Sequence, residues 1–294
     1  MKKLMLLVNP VAGKAGYKDG FGDVLETFSA GGYLPTVFMT TGPKDATDII
    51  VKYSGDYDLA VCFGGDGTLS ETVSGIIQLK NAPPLGYIPV GTANDVATTL
   101  GLPRSPVKAA EKILGGELVP LDVGTFGSDE HFTYIAAFGA FTQVSYETPQ
   151  GIKNMLGYMA YIFTGLLKIP SIVPIRARIE YDGGVIEDDF VFGGVTNSMS
   201  IAGLIHLGKE VVELGDGLFE IILVHKPRDI WDANKTIMDI LWQNYHTNNV
   251  TLLRSKSVRF NFDSAVPWTR DGESGGDHSD LLLTNIHGAV NFIL

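Results

Sequence analysis

Cysteine is nearly missing from this 294-residue chain, with Cys62 standing alone. No intrachain disulfide can form, and a cysteine-built zinc site is excluded. Cys62 lies in an apolar run, Leu59 to Phe63, so inert packing is expected of it. Positive charge is also scarce: 22 Lys plus Arg stand against 33 Asp plus Glu, a net charge of −11. A balance that acidic speaks against a dedicated nucleic-acid binder, which needs cations to neutralise phosphates. It also speaks against whole-surface attraction to anionic membranes, though a local basic patch could still act. Long apolar runs are lacking too. Leu4 to Val8 stops at Asn9-Pro10, too short for a secretory leader. The stretch between Lys153 and Lys168 is too short to span a bilayer, and 190–208 is broken by glycines and polar residues. A soluble, cytoplasmic protein is the expectation. The six histidines show no metal-ligand spacing, and no Ser/His/Asp set is visible.

What the chain does have, over its first 120 residues, is alternation. Apolar runs at 4–8, 36–40, 59–63 and 84–90 read as strands. Helical patterns fall at 20–31, 44–53, 69–79, 92–100 and 105–116, the last with a Ser N-cap, Pro in its first turn and Gly-Gly at its end. Strands and helices joined by short connections predict a parallel sheet with helices on both faces, an α/β domain over 1–122. After Asp122 short β-like runs dominate, and Asp182-Gly183-Gly184 marks a hairpin. Only 151–168 and 229–246 look helical there. Residues 123–294 therefore predict an antiparallel β-domain, packed closely on the first, with the site between them and the last strand free to return to the first domain.

The chemistry concentrates where strands end. "VCFGGDGTLSETVSG" runs from a strand through Gly64-Gly65-Asp66-Gly67-Thr68 into a helix. Glycine amides and a helix N-terminus bind oxyanions. Yet Asp66 beside bare phosphate would be costly, so its presence points to a divalent cation or a proton transfer. A plain helix cap with a tight glycine turn explains the same residues without function. Gly91-Thr92-Ala93-Asn94-Asp95 repeats the arrangement after the next strand. Loops leaving the carboxyl ends of parallel strands converge, so Asp66 and Asp95 could be neighbours, although Asn94 or Asp95 is also an ordinary N-cap. Asn9-Pro10-Val11-Ala12-Gly13 and Thr40 end two further strands. In the second half, Asp216-Gly217 and Asp271-Gly272-Glu273 are explained equally well by turn chemistry.

Taken in order, "NPVAG", "GGDGTLSE", "GTAND", "LDVG", "GDGLFEIILV" and "DGE" resemble the diacylglycerol kinase catalytic family over nearly the whole chain. Within it, "TQVSYETP" and "TNSM" are similar to the soluble Gram-positive bacterial branch. The resemblance implies a three-layer parallel-sheet nucleotide domain followed by a C-terminal antiparallel β-sandwich, with ATP in the cleft. It implies ATP contacts from Asn9, Pro10, Val11, Ala12, Gly13, Thr40, Gly64, Gly65, Asp66, Gly67, Thr68, Leu69, Ser70 and Thr92. It makes Asp66 essential beside catalytic Mg²⁺, Asp122 a further important carboxylate and Glu273 the general base. It gives Asp216 a structural Mg²⁺, shared with the carbonyls of Glu213 and Leu218 and linked through water to Asp95. Ser70 and Ser74 replace asparagines common in the family and shorten the reach of that helix.

The activity implied is transfer of the ATP γ-phosphate to a diacylglycerol hydroxyl, giving phosphatidate. The acceptor lipid would lie at the inner face of the membrane, with peripheral contact by Lys14, Lys153 and Lys168 around 155–167. An ordinary buried helix with charged ends explains that stretch as well. The β-rich half could also supply strand edges for a homodimer. Another lipid hydroxyl, such as phosphatidylglycerol or a sphingoid base, is the nearest alternative. NAD kinase and a non-catalytic lipid or nucleotide binder are the more distant ones.

Overall fold

The structure, a computed structural model, describes residues 1–13, 18, 20–92, 94–128, 130–139, 173–197, 200–201, 205–207 and 214–294. The helix expected at 151–168, "TQVSYETP", Lys14, Lys153, Lys168 and Glu213 lie outside them. The chain forms two compact units, Met1–Asp122 with His287–Leu294, and Val123–Ile286.

In the first unit, β1 (Lys2–Val8), β2 (Tyr33–Met39), β3 (Leu59–Gly64) and β4 (Leu85–Pro89) are all parallel, side by side in the order β4-β3-β1-β2. The central strands β1 and β3 are apolar without alternation, because both faces of a parallel sheet are covered. Leu4 to Val8 are accordingly buried throughout. Edge strand β2 instead alternates and leaves Leu34, Val37 and Met39 exposed. Helices α1 (Phe21–Ala30) and α5 (Pro106–Gly115) send Val24, Phe28, Ala109, Ala110 and Ile113 onto Leu4, Leu6 and Val8. Helices α2 (Asp45–Tyr53) and α3 (Asp66–Ile76) pack on each other, Gly75 lying against Ile50. Cys62 is fully buried, and burial pushes its thiol up to about 12, so it is inert.

In the first unit two helix boundaries differ from expectation, and in the second the helix expected at 229–246 ends at Leu241. The helix expected at 69–79 starts at Asp66, because Gly65 adopts an extended N-cap and the turn closes one residue later. The helix expected at 92–100 shortens to α4 (Asp95–Thr99), because Asn94 sits in the left-handed region at φ 54°.

The chain leaves the first unit in β5 (Leu118–Phe126). The second unit holds β6 (Glu130–Phe132), β7 (Ile135–Gly139), β8 (Ile175–Tyr181), β9 (Gly184–Thr196), β10 (Ser200–Ile201), β11 (Ile205–His206) and β12 (Phe219–His225). Helix α6 (Ile230–Leu241), β13 (Val250–Ser255), β14 (Ser257–Arg270) and β15 (Glu273–Ile293) follow. Its pairings are antiparallel, and β8 and β9 meet at the expected hairpin, Tyr181 opposite Gly184. The long strands β9 and β14 each pair with both β7 and β8, so the pairing closes on itself around an aromatic core. Phe138 contacts Phe260, Phe262 and Trp268 there, with ring centroids 5.0–5.5 Å apart. The last residues of β15 belong to the first unit, where Phe292 pairs in parallel with Leu85 and Leu294 bonds both ways with Glu117. No helix among the described residues is long and apolar enough to cross a membrane.

Candidate active site

Strands β1, β3 and β4 are parallel neighbours, so their carboxyl-end loops lie at one edge of the first unit. Glycine lets these loops touch. A Cβ on Gly13, whose φ is +70°, would stand 2.2 Å from the Val90 carbonyl oxygen. A Cβ on Gly91 would stand 2.6 Å from the Gly65 Cα. Both close approaches exclude any other residue without loop movement. Asn9 completes the junction: its side-chain NH₂ donates to the Thr68 hydroxyl at 2.8 Å, and its oxygen accepts from the Val11 amide at 3.0 Å.

The first intrahelical bond of α3 runs from the Leu69 amide to the Gly65 carbonyl at 3.0 Å. The amides of Asp66, Gly67 and Thr68 therefore form the open first turn, an anion-binding end. Val11, Gly67 and Thr92 are exposed around it. Two residues expected to touch a nucleotide are packed into the framework. Leu69 is buried with its amide already bonded. Thr40 is buried, its amide donating to the Val8 carbonyl at 2.9 Å. Glu71, quoted in the sequence motif without a role, accepts from the Lys44 and Ala46 amides at 2.8 and 3.3 Å and so holds the start of α2.

Asp66 does not cap its own helix. Its carboxylate accepts from the Asp95 and Val96 amides at 3.2 and 3.3 Å, and so caps α4. Asp66 and Asp95 are thus neighbours. Burial, reinforced by the Asp95 charge, pushes the Asp66 carboxyl from an ordinary 3.8 up to about 6. Burial also raises Asp95. Two desolvated carboxylates that repel each other are a hard-oxygen donor set that a divalent cation would stabilise. Here the residues fit such an ion.

Asp122 lies midway along β5, as the last residue of the chain's first run through this unit. It is buried, accepts from the Gly288 amide at 2.7 Å and lies 3.1 Å from His287 Nδ1. Its visible work is to hold the returning end of β15.

The remaining expected site residues belong to the second unit. Asp216 accepts from the Leu218 amide at 2.9 Å, and its other oxygen pairs directly with the Arg254 guanidinium. Arg254 Nε also donates to Glu220 at 3.1 Å. Glu220 is fully buried, and among the described residues its second oxygen has no hydrogen-bond partner. Burial lifts its carboxyl to about 7 although Arg254 pulls it down. The Asp216 oxygen that the resemblance gives to a structural Mg²⁺ is thus paired with a guanidinium here, and Glu213 lies outside the described residues. Among the described residues no three His, Cys, Asp or Glu side chains gather into a metal cluster. The sequence signals Glu220 only as a carboxylate inside the apolar run Phe219 to Val224, and it gives Arg254 no signal.

Glu273 opens β15 opposite Arg270 and is exposed. The preceding Asp271 (φ 48°) and Gly272 (φ 83°) form a two-residue hairpin turn of the left-handed type. The Asp271 carboxylate accepts from the amides of Thr133, Tyr134 and Ile135 at 2.7, 3.0 and 3.1 Å.

Residues 3–126 match the model of the diacylglycerol kinase catalytic domain. The chain is 32% identical over 278 residues to a diacylglycerol kinase of Bacillus subtilis (strain 168), covering 94% of this chain and 91% of that one. It is 34% identical over 280 residues to a diacylglycerol kinase of Staphylococcus aureus (strain MRSA252), covering 94% and 87%. A crystal structure of a diacylglycerol kinase from Bacillus anthracis str. Sterne shares the fold at a TM-score of 0.78 and 24% identity, covering 99% of this chain and 96% of that one. A further Bacillus anthracis structure reaches 0.84 at 27% identity, with the same coverage. Glycine loops converging on an open helix end, carried on a chain related to these proteins along nearly its whole length, make it a member of the diacylglycerol kinase family.

Proposed function

We propose that this chain is an ATP- and Mg²⁺-dependent kinase that phosphorylates the free hydroxyl of diacylglycerol to phosphatidate. The observation that carries the reading is the convergence of three glycine loops on the open turn of α3, with Asp66 and Asp95 desolvated together. Phosphoryl transfer asks mainly for alignment and charge neutralisation. The amides of Asp66, Gly67 and Thr68 would hold phosphate oxygens, and Asn9 would keep the first loop in register with them. Asp66 and Asp95 would hold Mg²⁺, which when bound supplies neutralisation of phosphate charge. Asp122 would act through position, fixing the end of β15 beside the first-unit sheet. An alcohol is a poor nucleophile at neutral pH, so a base must take its proton. Glu273 would be that base, and its exposure leaves the carboxylate open to an acceptor. The protein would work at the inner face of the membrane, where such an acceptor lies.

The test is a labelled-ATP assay in mixed micelles offering diacylglycerol, phosphatidylglycerol, a sphingoid base and NAD, with the product identified by mass. Phosphatidate is the expected product, and label on another acceptor alone, or on none, overturns the assignment. Glu273→Gln should lower turnover by on the order of a hundredfold or more while nucleotide affinity stays near wild type. Equal loss of turnover and affinity would remove the base role.

A further inference from the structure

Helix α6 is turned inside out. Its buried face carries Asp232, Thr236 and Asp239 beside Ala233 and Ile240. Its outer face carries Ile230, Trp231, Met238 and Leu241, with Trp242 following, at exposures of 54%, 79%, 49%, 41% and 76%. At helical spacing these five side chains fall in one sector, shared only with Asn234 and Lys235. A helix at home in water places its apolar stripe inward. The inward polar groups fix this orientation. Asp232 accepts from Arg228 Nε at 3.1 Å and from the Asn249 side chain at 2.9 Å, and Asp239 accepts from the Asn244 side chain at 3.2 Å. The Asp229 side chain caps the helix at the Asp232 amide.

We infer that this face of α6 docks on a lipid bilayer, with Trp231 and Trp242 seated among the headgroups. The inference rests on the lipid-hydroxyl reading above and adds the surface through which the protein meets its acceptor's bilayer. Charge selects a membrane. The chain carries a net −11, yet both aspartates within α6 point inward and the outer face keeps Lys235 as its one charge. A face without an exposed carboxylate is one that an acidic protein can bring to an anionic bilayer with little repulsion. Residue type agrees, because indoles concentrate at the membrane interface and interfacial helices lie flat with an apolar side down.

The experiment is flotation of the whole protein with vesicles of phosphatidylcholine and phosphatidylglycerol in equal parts, without diacylglycerol. Trp268, the third tryptophan, is only 1% exposed, so a vesicle-induced blue shift in emission reports Trp231 and Trp242. Wild type should float and shift. Trp231→Ala and Trp242→Ala should each weaken partitioning by roughly tenfold or more. Val185→Ala, at an exposed apolar residue of the β8–β9 hairpin, should not. The double tryptophan variant should keep wild-type activity on a short-chain, water-dispersed diacylglycerol. Three results would overturn the inference: a double variant that floats as well as wild type, a wild-type dimer that the double variant dissolves, or tryptophans already shielded from acrylamide in the vesicle-free monomer. The last would mean that another segment of the chain, such as the apolar stretch 155–167, covers the face. Absent kinase activity in both proteins would sink the kinase reading and leave flotation to judge the face. Retained activity without flotation would sink the face alone.

Discussion

Asp66 in the first unit and Asp271 in the second both precede a glycine shortly after a strand, Asp66 opening helix α3 and Asp271 a hairpin turn, and both accept backbone amides. Asp271 takes three, the shortest at 2.7 Å, and is thereby committed to joining its hairpin to Thr133–Ile135. Asp66 accepts from the Asp95 and Val96 amides at the longer distances of 3.2 and 3.3 Å, while facing the charge of Asp95. One carboxylate is held by short amide bonds, and the other is desolvated beside a like charge. Asp216 follows the pattern of Asp271, with a guanidinium in place of extra amides. The dipeptide therefore does not announce a functional acid; the quality of its partners does.

The contrast can be broken by substitution, and Asp66→Asn should have the largest effect. Turnover should fall by on the order of a thousandfold, the upper range for one electrostatic contact. Its folded stability should follow a different course. The Asp66 pKa is raised when folded, so wild type keeps that contribution below pH about 4 and loses it as pH rises through about 6. The Asn variant, with nothing to ionise, should show a shallower decline in Tm across that window. A variant with wild-type turnover would show that Asp66 is only a cap for α4.

Asp271→Ala comes next, and its effect should fall on stability. Three amides lose their acceptor, a cost of about 3 kcal/mol, visible as a lower urea midpoint. An unchanged midpoint would remove the distinction drawn between the two aspartates.

The smallest expected effect is that of Arg254→Met, at about 1–2 kcal/mol near pH 8, since the arginine is partly exposed. Glu220 also has a raised folded pKa, so its contribution is present below pH about 4.5 and lost as pH climbs through about 7. The gap between variant and wild type should therefore narrow at pH 5, where Glu220 is protonated in both. Should added Mg²⁺ raise the Tm of wild type, and Asp216→Asn abolish the rise, Asp216 would be a metal ligand after all and would side with Asp66.

Much of the fold was legible because it is local. Continuous apolar runs mark β1 and β3, and Ser105, Pro106 and Gly116 bracket α5. The loops at Asn9, Gly65 and Gly91 were legible from the same strand-to-helix grammar. The helix starts were not, since they turn on the backbone at Gly65 and Asn94, which composition does not determine. Nor were the pairs that commit acids to structure. Asp271 reaches back to Thr133, Asp122 meets Gly288, and Arg254 joins Glu220 across a strand pair. Such distant meetings arise only once the sheet register is set. The apolar residues of α6 were legible as a helical pattern, but not their outward direction, which follows from where Asp232 and Asp239 find their partners.

The late return of β15 bears on how the protein is made. Residues 287–294 sit beside β4 in the unit whose other members are finished by residue 122. On the ribosome, the β4 flank must wait as a bare ladder of amides and carbonyls while more than half the polypeptide is still to be translated. A strand flank left open for that interval is a place where an unfinished chain can pair wrongly.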